Sequence, residues 1–557
     1  MIKKYISERI PYQEYSKWTE KKKVVIQAPT GMGKTTFVLE YFLLHCMYEK
    51  KRVLILCNRR LLREQYEFEL AKLFERYAEL VNYVEVKTYQ EIAEMMKNGM
   101  KSKYLLKDFD VVIADEAHYF YQDSEFNPFG TYALLQGLIL AGVEKTMVFV
   151  SATFKEFLPI LQEAFQCCWQ KLFMDDNFFG DLSECKIDSE NIYDFSGEAD
   201  FQHFHCVIAN EVDEIWHEVA KSEKKSIIFI DNKEYAEKLK EQFQITWGLK
   251  SEDVYLLNAD IIDDKMNDVE IRTLTIAHKV LPKILITTSV LDNGVSIHDD
   301  LVGNVVVATE SKVNFFQMIG RIRTENCEFC NLYIFPHKVE YYEKRLGQYK
   351  KKLELFNECE KMLQEKDFAL LCQGWYSNGE EGQTLRNTIV ITEEEMEFIQ
   401  KYRNKFVTRG SGIVLAINTF AKEKVGNNFL IIENFLRLAL ENPELVAREQ
   451  FSWIRKNEEE IEVLSSSYKQ ELGEALQKEL LKIIDLSNEE FSKIKTEIAN
   501  KYQKILFPKI RFNKNTFSTE KFEKVCKQYD LTVKVVKGKE GKNRYSVVRE
   551  DQIENGN

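Results

Sequence analysis

A chain of 557 residues is too long for one hydrophobic core, so about two to four domains are expected. Hydrophobic residues at 45% and charged residues at 30% describe an ordinary soluble protein, and the net charge of −12 excludes a uniformly basic nucleic-acid binder. No uncharged apolar run approaches the ~20 residues needed to span a bilayer, and Met1–Arg9 has neither a long apolar core nor a cleavage site, so no membrane span or signal peptide is expected. Eleven cysteines are scattered without a framework, as suits a reducing cytoplasm.

Taken in chain order, apolar runs at 24–28, 53–57, 84–87, 111–115 and 147–151 alternate with amphipathic stretches. That alternation predicts a parallel sheet covered by helices, a first α/β domain over residues 1–153. Residues 154–225 are mixed, with acidic and aromatic stretches, and are expected to form a connector or insertion. A second α/β pattern runs over 226–336, with strands expected at 226–230, 254–257, 284–286, 305–307 and 332–335. Helical patterns dominate 337–506. There Leu346, Tyr349, Leu353, Phe356 and Leu363 fall near one helical face, which suits core packing or, alternatively, a partner helix. Acidic runs at 393–395 and 458–460 suit solvated helix faces. The end, 507–557, predicts a helix at 519–528 capped near Ser518, followed by two strands around 538–541, resembling the end of a winged-helix module. Charge is uneven: residues 501–549 hold 14 Lys or Arg against 4 Asp or Glu, a basic module on an acidic body.

Two motifs carry the chemistry. The segment Ala28-Pro29-Thr30-Gly31-Met32-Gly33-Lys34-Thr35-Thr36 follows the strand Val24-Val25-Ile26, and Asp115-Glu116-Ala117-His118 follows Val111-Val112-Ile113. A triphosphate is best held by converging backbone N–H groups at a helix N-terminus. Gly31 and Gly33 let the backbone curl close, with Met32 and Thr36 completing the loop. Lys34 is placed to reach the β- and γ-phosphates, and Thr35 to offer its hydroxyl to Mg²⁺. Asp115 is expected to hold the same ion through water, and Glu116 to polarise the attacking water. ATP and Mg²⁺ are therefore the expected ligands. Cys327 and Cys330 form the only Cys-x-x-Cys. Without a second pair they suit two ordinary cysteines flanking a strand better than a zinc or redox site.

Further motifs stand in register. They are 56–65 (Leu-Cys-Asn-Arg-Arg-Leu-Leu-Arg-Glu-Gln), Lys87-Thr88-Tyr89-Gln90, Ser151-Ala152-Thr153, 228–232, 287–295 and Gln317-Met318-Ile319-Gly320-Arg321-Ile322-Arg323. In type, order and spacing, residues ~10–336 resemble a superfamily 2 helicase of the DEAH-box kind. The resemblance implies two tandem RecA-like domains with ATP between them. It implies that His118, Ser151 and Thr153 couple the ATP site to the domain interface. Arg60 and Thr88 match positions that touch the nucleic-acid backbone, contacts that position a strand without reading it. Asn293 and Gly294 match a bridge between the nucleic-acid and nucleotide sites. Gln317 and Arg321 match the motif facing the γ-phosphate, and Gln13 sits where some relatives read adenine. The chain departs from the pattern at Thr324, where an arginine is usual. Either Arg323 takes the finger role or Arg321 carries it alone. Ser296 also stands where many relatives have Asp.

These features lead to an expected ATP-dependent DNA helicase or translocase, with Lys521, Lys524 and Lys527 on one side of a basic helix as added DNA contacts. The alternatives are an RNA helicase or RNA-remodelling ATPase, and an ATP-gated adaptor that presents 337–506 to a protein partner.

Overall fold

The computed structural model describes residues 5–98, 100, 102–127, 129–173, 186–198, 201–209, 211–230, 232–258, 269–288, 291, 296–323, 329–334, 337–364, 387–391, 415–464, 468–502, 518–527, 529–537 and 542–549. Asn293, Gly294, Thr324 and Cys327 lie outside the described residues.

The first sheet has six parallel strands: β1 (Lys23–Gln27), β2 (Val53–Cys57), β3 (Val84–Thr88), β4 (Val111–Asp115), β5 (Thr146–Ser151) and β6 (Ile192–Asp194). Their spatial order is β3-β2-β4-β5-β1-β6. The Val/Ile/Leu runs of β1, β2, β4 and β5 are buried along their whole length. Continuous apolar strands of this kind are stable only where both faces of a sheet are covered. Two separate cores supply that cover. One is built on Leu54, Val112 and Phe149, and the other on Val24, Ile26, Phe42 and Ile55.

The second sheet is also parallel and has seven strands: β7 (Phe204–Ile208), β8 (Lys225–Ile230), β9 (Val254–Leu257), β10 (Ile284–Thr287), β11 (Val302–Ala308), β12 (Cys330–Ile334) and β15 (Ile461–Val463). Their order is β15-β7-β12-β11-β8-β10-β9. Two of these strands lie outside the interval 226–336. Phe204–Ile208 falls in the stretch expected to be a connector, and pairs residue for residue with Cys330–Ile334. Ile461–Val463 comes from the helical region and extends the sheet beyond β7. β15 has only three residues with Glu462 at its centre, and β7 opens with Phe204-His205, so neither carries an unbroken Val/Ile/Leu signature.

Beyond the sheets, the helix Val339–Gln364 lies against Thr419–Glu441. Tyr342, Tyr349 and Phe356, spaced by seven, bury against Val425, Ile432 and Phe435. Leu346 and Leu353 pack alongside, so the predicted face is packed within the chain as far as Phe356, and the side chain of Leu363 lies outside the described residues. A short antiparallel pair, β13 (Ile389–Ile391) and β14 (Leu415–Ile417), precedes the second helix.

The C-terminal module begins earlier than residue 507. It comprises a helix (Tyr468–Leu480), β16 (Leu486–Ser487), helices Asn488–Lys501 and Thr519–Lys527, and a hairpin of β17 (Leu531–Lys537) and β18 (Asn543–Arg549). The sheet order β16-β18-β17 is that of a winged helix. Its core joins Leu476, Leu480 and Phe491 to Phe522, Cys526, Leu531 and Val547. The hairpin alone cannot bury these side chains; the two preceding helices complete the unit. Among the described residues no helix is long and apolar enough to cross a membrane.

Candidate ATPase site at the domain interface

Strand order creates the site. β5 lies between β1 and β4, so the loops leaving these three strands stand side by side at their carboxyl ends. They carry Ala28–Thr36, Asp115–His118 and Ser151–Thr153.

The phosphate loop turns through two left-handed glycines, Gly31 at φ +95° and Gly33 at φ +75°. Non-glycine residues pay about 1–2 kcal/mol there. Lys34 opens the following helix, where Phe37 N–H donates to Gly33 O (2.8 Å). The Lys34 ammonium donates to Ala28 O (2.9 Å) and Pro29 O (3.4 Å). Burial pushes its pKa down to about 8, against the pull of Glu116 and Asp115. Thr35 follows on the same turn.

Asp115 is held from three directions. Tyr66 Oη donates to its Oδ2 (2.7 Å), the Glu116 N–H donates to its Oδ1 (2.9 Å), and Tyr89 Oη donates to its carbonyl (2.8 Å). Burial, with the neighbouring Glu116 charge, raises its pKa to about 6. Glu116 itself has φ +49°, a left-handed conformation that an unbranched acidic residue adopts only when its surroundings impose it. The Ala117 N–H to Val150 O bond (3.0 Å) and the Tyr119 N–H to Glu116 O bond (2.9 Å) supply that constraint. The strain aims the carboxylate at the second domain.

Across the cleft, the helix Lys312–Ile319 delivers Gln317, and the turn after it delivers Arg321 and Arg323. Ser311 caps this helix by accepting from Asn314 N–H (3.3 Å). Ile297 N–H donates to Arg321 O and Arg323 N–H to Ile297 O, both 2.8 Å, which fixes the arginine segment to the body of the second domain.

The side chains then close a circuit. Arg321 Nη2 donates to Glu116 Oε1 (2.9 Å) and to Gln317 Oε1 (3.0 Å). Gln317 Nε2 donates to Thr153 Oγ1 (3.1 Å), and Thr153 N–H donates to Ser151 Oγ (3.1 Å). Ser151 Oγ is hydrogen-bonded to His118 Nδ1 (2.9 Å), which stands 3.4 Å from Glu116 Oε2. The circuit crosses between domains twice. Burial alone would raise the Glu116 pKa, but His118, Arg321 and Lys34 outweigh it and hold the carboxylate well below its ordinary range.

Arg323 takes a different place. A Cβ built on Gly31 would collide with Arg323 Nη1, so this guanidinium lies against the phosphate loop. Arg321 therefore faces the carboxylate that would act on water, and Arg323 faces the loop that would hold phosphate. A Cβ on Gly320 would meet Thr30 Oγ1 at 2.3 Å, so only glycine permits this approach of the second domain to the loop.

The donor set fits a magnesium nucleotide. Hard oxygens from Thr35 and Asp115 flank the loop, and no hydrogen bond reaches the buried Glu116 Oε2 among the described residues. The ion, when bound, would neutralise charge developing on the phosphates.

Of the other predicted residues, Gln13 is exposed on the short helix Tyr12–Tyr15, and Arg60 is exposed at the start of the helix Arg60–Arg76. Thr88 is buried, and its hydroxyl caps the helix Tyr89–Lys97 in a reciprocal box with Glu91. Lys521, Lys524 and Lys527 are exposed on the C-terminal module, apart from this circuit. Cys330 is buried, and no group of metal-ligating residues occurs among the described residues. Sequence reasoning missed Tyr66 and Gly320. Tyr66 carries no motif signal, whereas Gly320 stood inside a quoted motif without an assigned task.

A cavity of about 430 Å³ opens beside His118 and Gln317, between both domains and the helical pair. Its walls carry Arg59, Glu125, Glu310, Arg345, Tyr349 and Lys424. The helical pair is tied to both domains around it. Lys352 and Lys424 reach Glu125 of the first domain (2.7 and 3.4 Å), and Arg345 reaches Glu310 of the second (2.9 Å). Asn418 Nδ2, capping the second helix, donates to Ser124 O (2.9 Å), and Gln450 Nε2, on the following helix Glu444–Ser452, donates to Thr309 O (2.7 Å).

Residues 1–156 match the family described as type III restriction enzyme, res subunit. No curated protein matches the sequence. Among solved structures the chain is similar to Mycobacterium smegmatis helicase Lhr bound to ssDNA and AMP-PNP. The identity is 16% and the TM-score 0.41, over 60% of this chain and 47% of that chain. It is similar also to Saccharomyces cerevisiae Dbp5 bound to RNA and ADP BeF3, at 17% identity and TM-score 0.36, over 57% of this chain and 79% of that one. Escherichia coli DEAH/RHA helicase HrpB gives 15% and 0.37, over 58% and 42%. The chain thus spans less than half the length of Lhr and of HrpB. The family match covers the first domain, and the fold joins that domain to a second parallel α/β sheet across the candidate site.

Proposed function

We propose that this protein is an ATP-dependent DNA helicase or translocase, a DEAH-box motor in which hydrolysis is tied to domain movement along a strand. The observation that carries the reading is the circuit through Glu116, His118, Ser151, Thr153, Gln317 and Arg321, because neither domain completes it alone. In this reading Lys34 and the loop N–H groups hold the β- and γ-phosphates, with Arg323 poised over the same loop. Glu116 orients and polarises the attacking water. Arg321 exchanges its contact with Glu116 for the charge that develops on the γ-phosphoryl group as the cleft closes. Thr35 and Asp115 are the proposed magnesium donors.

His118, Ser151 and Thr153 then report the state of the site to the second domain, since any movement of Gln317 must break or remake the Thr153 bond. DNA is preferred over RNA because the chain ends in a basic winged helix.

Strand separation on a 3′- or 5′-tailed DNA duplex tests the proposal. The wild-type chain is expected to unwind one of them with ATP, and the Lys34→Ala chain neither. Unwinding by Lys34→Ala would refute the mechanism.

A further inference from the structure

We infer that the C-terminal winged helix is a duplex-DNA anchor that works without ATP and places its last helix, Thr519–Lys527, in the major groove. The inference deepens the DNA reading above by naming the form of DNA that this module holds.

The topology sets the geometry. Helices Asn488–Lys501 and Thr519–Lys527 are locked together by Phe491 and Phe522, whose rings meet edge to face at 5.4 Å, and by Lys495 Nζ donating to Thr519 Oγ1 (3.4 Å). Ser518 caps the second helix by accepting from Lys521 N–H (3.3 Å). Phe522, Val525 and Cys526 face the module's core. Lys521, Lys524 and Lys527 are exposed, spaced by three along the opposite side. The strand β17 packs beside this helix and adds exposed Lys534 and Lys537, and β18 begins beside exposed Lys542. Glu520 and Asp530 are the exposed acidic residues within 518–537 among those described. The other end of the module, the helix Asn488–Lys501, lies against Lys233–Trp247 of the second RecA-like domain. A duplex held by the outer face would therefore be fixed to the moving half of the motor.

Charge complementarity selects a nucleic acid, and shape selects its form. A helix fits the major groove of B-form DNA, about 12 Å wide, whereas the A-form RNA major groove is too deep and narrow to admit one. Lysines on a helix and an adjoining hairpin suit phosphates on either side of that groove, as in other helix-turn-helix geometries.

The test is equilibrium binding of the full chain, without ATP, to a blunt DNA duplex and to an RNA duplex of the same sequence, over a salt series. The wild-type chain is expected to prefer DNA. The Lys521→Ala/Lys524→Ala/Lys527→Ala chain is expected to lose at least tenfold in DNA affinity and about three units of log–log salt slope. The triple Lys→Arg chain keeps both, which separates charge from misfolding. Unchanged DNA affinity and slope in the alanine variant, or equal binding of the RNA duplex, would overturn the inference. Because the assay contains no ATP, a failure here leaves the motor reading standing, and a failure of hydrolysis leaves the anchor standing.

Discussion

The two RecA-like domains and the region after residue 337 are built by the same packing rules, yet they differ in how they relate to the chemistry. In the two α/β domains, the candidate site sits where strands end. Gly31, Gly33, Glu116 and Gly320 have backbone positions that few other residues tolerate, so the chemistry restricts the sequence locally. In the later region, the long-range contacts are those that dock it on the two domains. Lys352, Lys424 and Arg345 act on Glu125 and Glu310, which are more than 30 residues away in the chain. A contact of that kind restricts two distant side chains and leaves no short motif. The lesson is that a motif marks where a backbone is constrained, and that long-range coupling leaves little trace in one sequence.

Five substitutions probe this contrast in descending order of expected effect, with Glu125→Gln as a control for one of them. Lys34→Ala removes the ammonium from the phosphate loop and is expected to lower ATP turnover by on the order of 10³-fold or more, measured at saturating ATP. Residual turnover within tenfold of wild type would place the phosphate site elsewhere. Arg321→Ala opens the circuit at its interdomain step and is expected to cost on the order of 10²- to 10³-fold in kcat with a smaller change in KM. Arg323→Ala, at the loop, is expected to act more on KM. A reversed split would exchange the two roles.

Lys424→Met tests whether the helical pair is part of the motor's frame. Glu125 is nearly buried, and Lys424 and Lys352 together offset the cost of burial and hold its carboxyl below the ordinary range. Removing one partner is expected to destabilise the chain by about 1–3 kcal/mol, with part recovered in the Glu125→Gln/Lys424→Met double variant. The urea midpoint measures both. A carboxylate with a lowered folded pKa stabilises above its unfolded value and ceases to do so as pH falls through the folded one. The Glu125→Gln chain should therefore lose less stability than wild type on acidification below the ordinary carboxylate range. A Lys424→Met chain with an unchanged midpoint would make the helical pair a passenger. Tyr66→Phe, the mildest change, leaves Asp115 Oδ2 without its donor and is expected to lower turnover about tenfold or less, with little change in fold.

Much of the first α/β domain was legible in the sequence. The apolar runs at 24–28, 53–57 and 111–115 match β1, β2 and β4 to within one residue, because fully buried strands need unbroken Val/Ile/Leu. The placing of Lys34 beside Asp115 and Glu116 followed from the same pattern. Other parts were hidden for physical reasons. β15 is a three-residue edge strand and β7 has a partner on each side, Cys330–Ile334 and Ile461–Val463, that lies far away in the chain. The winged helix was visible only from its last helix and hairpin, since Tyr468–Leu480 and Asn488–Lys501 have the amphipathic pattern of any helical domain. Tyr66 was hidden inside a helix with many other apolar positions, and only the fold brings its hydroxyl to Asp115.

The most direct test of the central claim is ATP turnover of the full chain at one moderate salt concentration, with no nucleic acid, single-stranded DNA, duplex DNA or RNA. Strong stimulation by DNA, lost in Arg321→Ala, is the predicted result. A rate indifferent to every nucleic acid would contradict a motor whose two domains close around one carboxylate.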